Sequence, residues 1–154
     1  MGKKSKEIRQ KDIIQASKTP KALQSPERFY NQNPVWSFSC CDFGHNRWGF
    51  CSDTAFVESV LKRLNSFEGQ TWGEILSDTS GRNGNTKNHP IETYKIIREA
   101  QTRLNEINMS QYDILYSLTI SGKSRLWGGI NQGVFLIVWV DKYHEICPNH
   151  KRHT

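Results

Sequence analysis

The sequence has no apolar stretch long enough to cross a membrane as a helix. Its longest uninterrupted run, Val134–Val140, covers seven residues, whereas a membrane-spanning helix needs about 20. The first residues are charged and no apolar segment follows them, so the pattern of a secretory signal peptide is also missing. We therefore expect a soluble protein of the cytoplasm with no membrane partner.

Cysteine is scarce, with four residues in 154, and we expect reduced thiols in the cytoplasm. Cys147, His150 and His153 have a spacing that suits metal ligands, but a tetrahedral zinc site needs a fourth. The adjacent Cys40 and Cys41 would project to opposite faces of a strand and suit joint ligation badly. We predict no metal and no cofactor, while the sequence leaves open whether the segment 147–153 binds a metal.

The net charge of +6 is distributed unevenly along the chain. Residues 1–28 contain eight Lys and Arg against three Asp and Glu, a balance of +5, so the remaining 126 residues carry only +1. The segment lacks sustained apolar periodicity, which is typical of disorder. We predict a basic, mobile arm over residues 1–33 and a single domain over residues 34–154. Such an arm favours non-specific contact with phosphates; the alternative is a segment that only confers solubility.

The rest of the chain alternates between strand-like and helix-like patterns. Residues 35–43 have the two-residue period of a half-buried strand, and apolar residues recur at helical spacing from Phe56 to Leu64. Thr71 and Glu74 have the spacing of a capping box, and Pro90 suits the first turn of a third helix. Three strands are predicted after these helices, at 114–120, 124–130 and 134–140.

This order of elements predicts an α+β fold. We expect an antiparallel sheet of three to four strands with two or three helices packed on one face, in the order β-α-α-(α)-β-β-β. Residues 134–140 are apolar at every position, which indicates a central strand that is covered on both faces. Phe135 and Trp139 are expected on the same face of this strand, because side chains alternate with a period of two.

Basic and imidazole side chains lie where the last two predicted strands meet. Lys123 and Arg125 begin one strand and His144 follows the next, so antiparallel pairing brings them together. A guanidinium binds phosphate through two parallel hydrogen bonds, and an imidazole titrates in the range that acid–base work on a ribose 2′-hydroxyl requires. We predict that these residues and the segment 147–153 receive a phosphodiester. The catalytic candidates are His144, Arg125, Lys123 and Tyr143.

Further candidates for phosphate or nucleic-acid binding lie outside this group. The polar loop 80–90 carries basic side chains, although it lacks a phosphate-loop motif, and Trp48 lies in a turn where we expect it to be exposed enough to stack on a base. The alternatives are a solvated loop, a buried tryptophan, an arginine that covers the core and a surface histidine at a strand end. In sequence order these candidates are Arg47, Trp48, Arg82, Lys87, His89, Lys151 and Arg152.

The C-terminal motifs resemble those of a family of small uncharacterised bacterial and phage-associated proteins. The stretch "SGKSRLWGGINQGVFLIVWVDKYHEICP" is similar to the family pattern of Arg-x-Trp-Gly, a short turn, a Phe-rich strand and Trp-x-Asp-x-x-His-x-x-x-Pro. The resemblance extends over about residues 35–150 and does not indicate which activity the protein has. The matching residues are Arg125, Trp127, Gly128, Phe135, Trp139, Asp141, His144 and Pro148.

The order of elements also resembles RelE/ParE-like toxins of toxin–antitoxin modules. In the RelE branch these cleave mRNA with basic and imidazole or phenolic side chains and no metal. The long basic segment, the extended loop 80–90 and the C-terminal residues depart from that family. The resemblance implies a metal-independent endoribonuclease with RNA as substrate and a cognate antitoxin as partner. The alternative is a non-enzymatic accessory protein of a phage or mobile element that binds nucleic acid or a protein. A metal-dependent nuclease is less favoured, because no paired acidic motif lies beside the histidines.

Overall fold

The computed structural model describes residues 29–50, 53–79 and 85–148. The predictions that concern the arm, Arg82, Lys151, Arg152 and the tail histidines lie wholly or mainly outside these ranges. In the part of the chain that is described, no helix has the length and apolar character needed to cross a membrane.

The described residues form an α+β domain with five strands, three α-helices and one 3-10 turn. The strands and helices alternate in the first two thirds of the chain, and three strands complete it. In chain order the elements are β1 (Val35–Ser37), α1 (Thr54–Glu68), α2 (Trp72–Ser77), β2 (His89–Glu92), the 3-10 turn (Thr93–Lys95), α3 (Arg98–Glu106), β3 (Ile114–Ser121), β4 (Ser124–Asn131) and β5 (Val134–Asp141).

The five strands form one sheet in the order β1-β5-β4-β3-β2. Strands β2 to β5 pair antiparallel, whereas β1 runs parallel to β5. The sheet is therefore mixed, and the prediction of an antiparallel sheet of three to four strands is wrong in both respects. The predicted helix start at Pro90 is also wrong. Pro90 lies in β2, an edge strand, where the missing N–H of a proline is tolerated.

Helices cover both faces of the sheet, so the prediction that they pack on one face is wrong. Leu64 of α1 and Trp72 of α2 belong to the first core, together with Leu118 of β3. Leu104 of α3 belongs to the second core, together with Leu115 of β3. Because side chains alternate along a strand, an apolar strand with two buried faces requires a cover on each side.

Strand β5 contributes side chains to both cores, and an additional residue in its middle interrupts the regular alternation of side chains between the two faces. Trp127 of β4 lies opposite Trp139, but the next residue of β4 lies opposite Ile137, so Val138 is an additional residue in β5 and forms a β-bulge. Val138 and Trp139 both belong to the second core, whereas Phe135 belongs to the first. The prediction that Phe135 and Trp139 share a face is therefore wrong, although the central position of the strand is confirmed.

The helices α1 and α2 begin at side-chain caps. The carboxylate of Asp53 accepts a hydrogen bond from the backbone N–H of Phe56 at 3.2 Å. The capping box predicted for α2 is confirmed, since Thr71 N donates to Glu74 Oε2 at 2.8 Å and Glu74 N donates to Thr71 Oγ1 at 3.3 Å. These bonds satisfy N–H groups that have no partner within the helix.

Candidate phosphate-binding site

The sheet brings polar side chains together near the turn between β3 and β4. Arg125, at the start of β4, lies opposite Thr119 of β3 and opposite Asp141, the last residue of β5. Directly opposed residues project from the same face of a sheet. His144 follows Asp141 by three residues, and His89 is the first residue of β2. We refer to Arg125, Asp141, His144 and His89 as the histidine–arginine cluster.

The imidazole of His144 interacts electrostatically with the other three members of this cluster. Partial burial has the largest effect and lowers the pKa of His144. The positive charge of Arg125 lowers it further, the carboxylate of Asp141 raises it, and His89 lowers it. The pKa of His144 therefore lies below its ordinary value of 6.5. At neutral pH the ring is uncharged and is able to accept a proton.

Arg125 has a half-buried guanidinium that the protein uses only in part. Its Nη1 donates to the carbonyl oxygens of Gly122 at 2.7 Å and Ser124 at 3.0 Å. Neither Nε nor Nη2 has an acceptor among the described residues, and none of their carboxylates forms an ion pair with it. Burial lowers the pKa of Arg125, and Asp141 opposes that effect. The open Nε–Nη2 edge is therefore available to an anion.

Arg103 shows how the same edge of a guanidinium is used elsewhere in this fold. Its Nε and Nη2 each donate to a carboxylate oxygen of Asp42 at 2.8 Å. This bidentate geometry suits carboxylates and phosphates equally well. In Arg103 the edge is filled by a buried protein carboxylate, whereas in Arg125 it is open.

Asp141 is fully buried and holds the turn that carries His144. Its Oδ1 accepts a hydrogen bond from Glu145 N, and its Oδ2 accepts one from Ile146 N, both at 2.9 Å. His144 itself has a φ of 60°, in the left-handed region that non-glycine residues adopt only where their surroundings impose it. Asp141 is therefore a positioning residue for the imidazole.

His89 lies in an edge strand and not in the loop to which the sequence assigned it. Its Nδ1 is 3.2 Å from the carbonyl oxygen of Thr86. Because a carbonyl only accepts, Nδ1 carries the proton in this contact, and Nε2 is left for other partners. The preceding residue, Asn88, is buried. Its Nδ2 donates to the carbonyl oxygen of Ile75 at 3.0 Å, and its Oδ1 accepts from Thr119 N at 2.8 Å. These bonds fix the backbone that carries His89.

Three other predicted residues lie at the solvent side of the cluster. Lys123 is exposed in the turn before Arg125, and Tyr143 is exposed beside His144. Lys87 is exposed two residues before His89 and forms an ion pair with Asp78 at 3.6 Å. Lys123 adds a positive charge and Tyr143 an aromatic ring close to the cluster, whereas the charge of Lys87 is paired with Asp78.

The candidates Arg47 and Trp48 lie elsewhere and are engaged in other contacts. Trp48 is fully buried, with its ring stacked on His45 at 4.2 Å between centroids. The prediction of an exposed stacking residue is wrong, because this turn folds back and the carbonyl of Trp48 accepts a hydrogen bond from β5. Arg47 forms ion pairs with Glu99 and, at 3.6 Å, with Glu145, so its charge is already compensated.

The described residues contain no group of three or more His, Cys, Asp or Glu that could hold a metal ion. Cys147, the described end of the segment that the sequence left open as a metal site, is half-buried and its Sγ donates to the carbonyl of Lys95 at 3.8 Å. Burial raises the pKa of this thiol. The other two candidate ligands of that segment, His150 and His153, lie outside the described residues.

A concave region of mixed charge lies over α3, away from the residues of the histidine–arginine cluster. It is an open cleft of about 440 Å³. Its charged groups are largely paired, since Glu99 binds Arg47 and Glu106 binds Arg103 at 2.9 Å. No sequence pattern indicated this cleft, and the charges of its lining residues cancel. The histidine–arginine cluster is the better candidate for an anionic ligand.

No family model matches this chain, and no curated protein or solved structure shows significant similarity to it. The resemblances to the phage-associated family and to RelE/ParE-like toxins therefore stay predictions, and function has to be argued from the chemistry of the site.

Proposed function

We propose that the protein acts on RNA as a metal-independent endoribonuclease and that the histidine–arginine cluster is its active site. The observation that carries the proposal is the open Nε–Nη2 edge of Arg125 beside His144, whose pKa is lowered. Cleavage of a ribose phosphodiester requires a cation that binds the phosphate oxygens and a base that accepts the 2′-hydroxyl proton. The guanidinium of Arg125 and the neutral imidazole of His144 supply these two groups.

In this reaction His144 acts as the general base. It takes the proton of the 2′-hydroxyl, whose oxygen attacks the adjacent phosphorus, so that an O2′–P bond forms while the P–O5′ bond breaks. Arg125 binds the non-bridging oxygens and stabilises the charge that they gain in the transition state. The 5′-oxygen takes up a proton as it leaves. The products carry a 2′,3′-cyclic phosphate and a 5′-hydroxyl group.

The charge distribution around the cluster supports binding of a polyanion. The carboxylate of Asp141 accepts two backbone N–H groups and does not form an ion pair with Arg125, so the guanidinium keeps its charge available. Lys123, two residues before Arg125, is exposed and adds a further positive charge. If these cations neutralise phosphates, affinity for RNA falls as salt concentration rises, because counterions are released on binding.

A fluorogenic RNA oligonucleotide tests this proposal. His144→Gln should keep RNA binding and lower the cleavage rate by about 10²–10⁴-fold, the usual contribution of a general base. Arg125→Lys keeps the charge but loses the bidentate edge, and should weaken both binding and cleavage. Arg47→Gln is the matched control, since it removes a partly exposed arginine that is paired elsewhere, and its activity should equal that of the wild type.

Two further measurements define the reaction class. Cleavage should be unchanged by a metal chelator, and a 2′-deoxy substitution at the cleaved position should prevent it. Cleavage that persists at the wild-type rate in His144→Gln, or that proceeds at the 2′-deoxy position, would overturn the proposal.

Binding of nucleic acid without cleavage is the second candidate function. It is favoured by the 66% exposure of Tyr143, the residue before His144, because exposed aromatic rings stack on unpaired bases. In the same assay, wild type and His144→Gln would then bind RNA equally and neither would cleave it. An antitoxin-type protein partner stays a prediction of the RelE/ParE resemblance.

A further inference from the structure

The two histidines of the cluster lie on opposite sides of Arg125. Across the sheet, β2 with His89 is followed by β3, then by β4 with Arg125, and then by β5, from whose end His144 projects. His89 lies opposite Ser117 of β3, and Arg125 lies opposite Thr119, two residues further along the same strand. Both side chains therefore project from the same face of the sheet. The shared face, and not only the electrostatic effect of His89 on His144, groups His89 with Arg125 and Asp141.

We propose that His89 is the general acid of this site, which protonates the leaving 5′-oxygen, and that the protein is therefore a two-histidine ribonuclease that leaves 2′,3′-cyclic phosphate and 5′-hydroxyl ends. This inference rests on the proposed function above. In phosphoryl transfer the attacking and leaving oxygens are roughly in line on opposite sides of phosphorus. A base and an acid on either side of a phosphate bound by Arg125 satisfy that requirement.

The hydrogen bond of His89 suits it to donate a proton. Nδ1–H donates to the carbonyl oxygen of Thr86 in both the charged and the neutral ring, so loss of the Nε2 proton does not disturb the orientation of the imidazole. The adjacent guanidinium favours the neutral form of His144, which is the form that a base requires. His89, on the other side of Arg125 in the sheet, is therefore assigned as the acid.

The proton balance of the cycle closes within the pair. His144 gains the proton of the 2′-hydroxyl, and His89 loses its Nε2 proton to the 5′-oxygen. After release of the products His144 is charged and His89 is neutral, and exchange with water restores the starting state. The reaction needs no oxidant, reductant or second substrate.

A substrate with sulfur in place of the bridging 5′-oxygen at the cleaved bond tests the assignment. A thiolate leaves without protonation, so it removes the need for an acid but not for a base. His89→Asn keeps a donor for the Thr86 carbonyl and has no titratable proton. It should cleave ordinary RNA about 10²–10³-fold more slowly than the wild type and the 5′-thio substrate at nearly the wild-type rate. His144→Gln should remain defective on both substrates.

Lys87→Gln is the matched control, because it removes a positive charge two residues away and leaves both imidazoles of the cluster in place. It should show the same ratio of rates on the two substrates as the wild type. An equal defect of His89→Asn on both substrates, or no defect on either, would overturn the role of His89 and leave the role of His144 intact. A wild-type protein that cleaves neither substrate would overturn the proposed ribonuclease itself.

Discussion

The substitution Asp141→Asn should destabilise the protein by a large part of its folding free energy. The carboxylate is fully buried, and its two oxygens accept the N–H groups of Glu145 and Ile146. An asparagine has one oxygen and one NH₂ group, so one of these N–H groups would face another donor. A lost hydrogen bond to a charged group costs about 1.5–3 kcal/mol and an unsatisfied buried donor about 1–3 kcal/mol, which overlap and together give about 2–4 kcal/mol.

Thermal unfolding followed by circular dichroism measures this loss. In a chain of this size 1 kcal/mol corresponds to about 2–4 °C, so Tm should fall by roughly 4–16 °C. The control is Asp53→Asn, the same chemical change at the exposed N-cap of α1. Asparagine caps a helix as well as aspartate does, and the exposed ion pair of Asp53 with Lys142 at 3.2 Å contributes little to stability. Tm of this variant should therefore fall much less than that of Asp141→Asn.

An Asp141→Asn protein that melts with the wild type would refute the reasoning. It would show that the turn after β5 is held by other contacts, and the positioning of His144 by this carboxylate would have to be abandoned. The NMR signals of the His144 ring provide a second readout, because a loosened turn should move them even if the global stability changed little.

Three further predictions concern the cluster, the second core and a thiol. Arg125→Gln should raise the pKa of His144 in an NMR titration; in the wild type this pKa is lowered, so the unfolded chain binds the proton more readily and stability should decrease as pH falls through 6.5. Trp139→Phe should cost about 1.5–3 kcal/mol more than Trp127→Phe in urea unfolding, because the buried indole of Trp139 donates to a carboxylate at 3.0 Å while that of Trp127 has no described acceptor. Cys41, whose pKa burial raises to about 11, should alkylate slowly at pH 8.

Each of these has a clear contradicting result. An unchanged pKa of His144 in Arg125→Gln would mean that the guanidinium does not act on the ring. Equal losses in the two tryptophan variants would mean that the hydrogen bond of Trp139 contributes nothing net. Labelling of Cys41 in the native protein as fast as in urea would mean that its thiol is not buried.

The parts of the fold that could be predicted from the sequence are those with local signals. The stripe from Phe56 to Leu64, the capping box of α2 and the tight turns between the last three strands each depend on residues close in the chain. Strand β2 has four residues, one of them Pro90, and it exists because β3 pairs with it. No local sequence pattern indicates this pairing, and the predicted number of strands was therefore wrong.

The β-bulge in β5 could not be predicted for a different reason. The run 134–140 has no polar residue to mark which side chains face which core. The available signal lies on the neighbouring strand, in Gly128, where a Cβ would come within 2.2 Å of the carbonyl oxygen of Leu136. A glycine at this position fits the close backbone approach beside a bulge.

The candidate site could be predicted in part. Antiparallel pairing of the two strands that carry them places Arg125 and His144 together, and this followed from the short turn at residues 131–133. The approach of His89 could not be inferred, since it requires β2 to pair with β3. The hydrogen bonds of Asp141 to the backbone N–H groups of Glu145 and Ile146 could not be inferred either, since they depend on the path of the turn after β5.

The parallel pairing of β1 with β5 has a consequence for how the chain avoids self-association. Residues 134–140 combine β-branched and aromatic side chains with no charge, the composition of segments that form intermolecular sheets. In the folded protein β4 occupies one edge of this strand, and Val35, opposite Val134, begins the cover of the other. Val35 of β1 is synthesised 99 positions before its partner in β5. Both neighbours of β5, β1 and β4, therefore already exist when this apolar strand emerges. A variant that lacks β1 would leave this edge of β5 unpaired, and we expect it to aggregate.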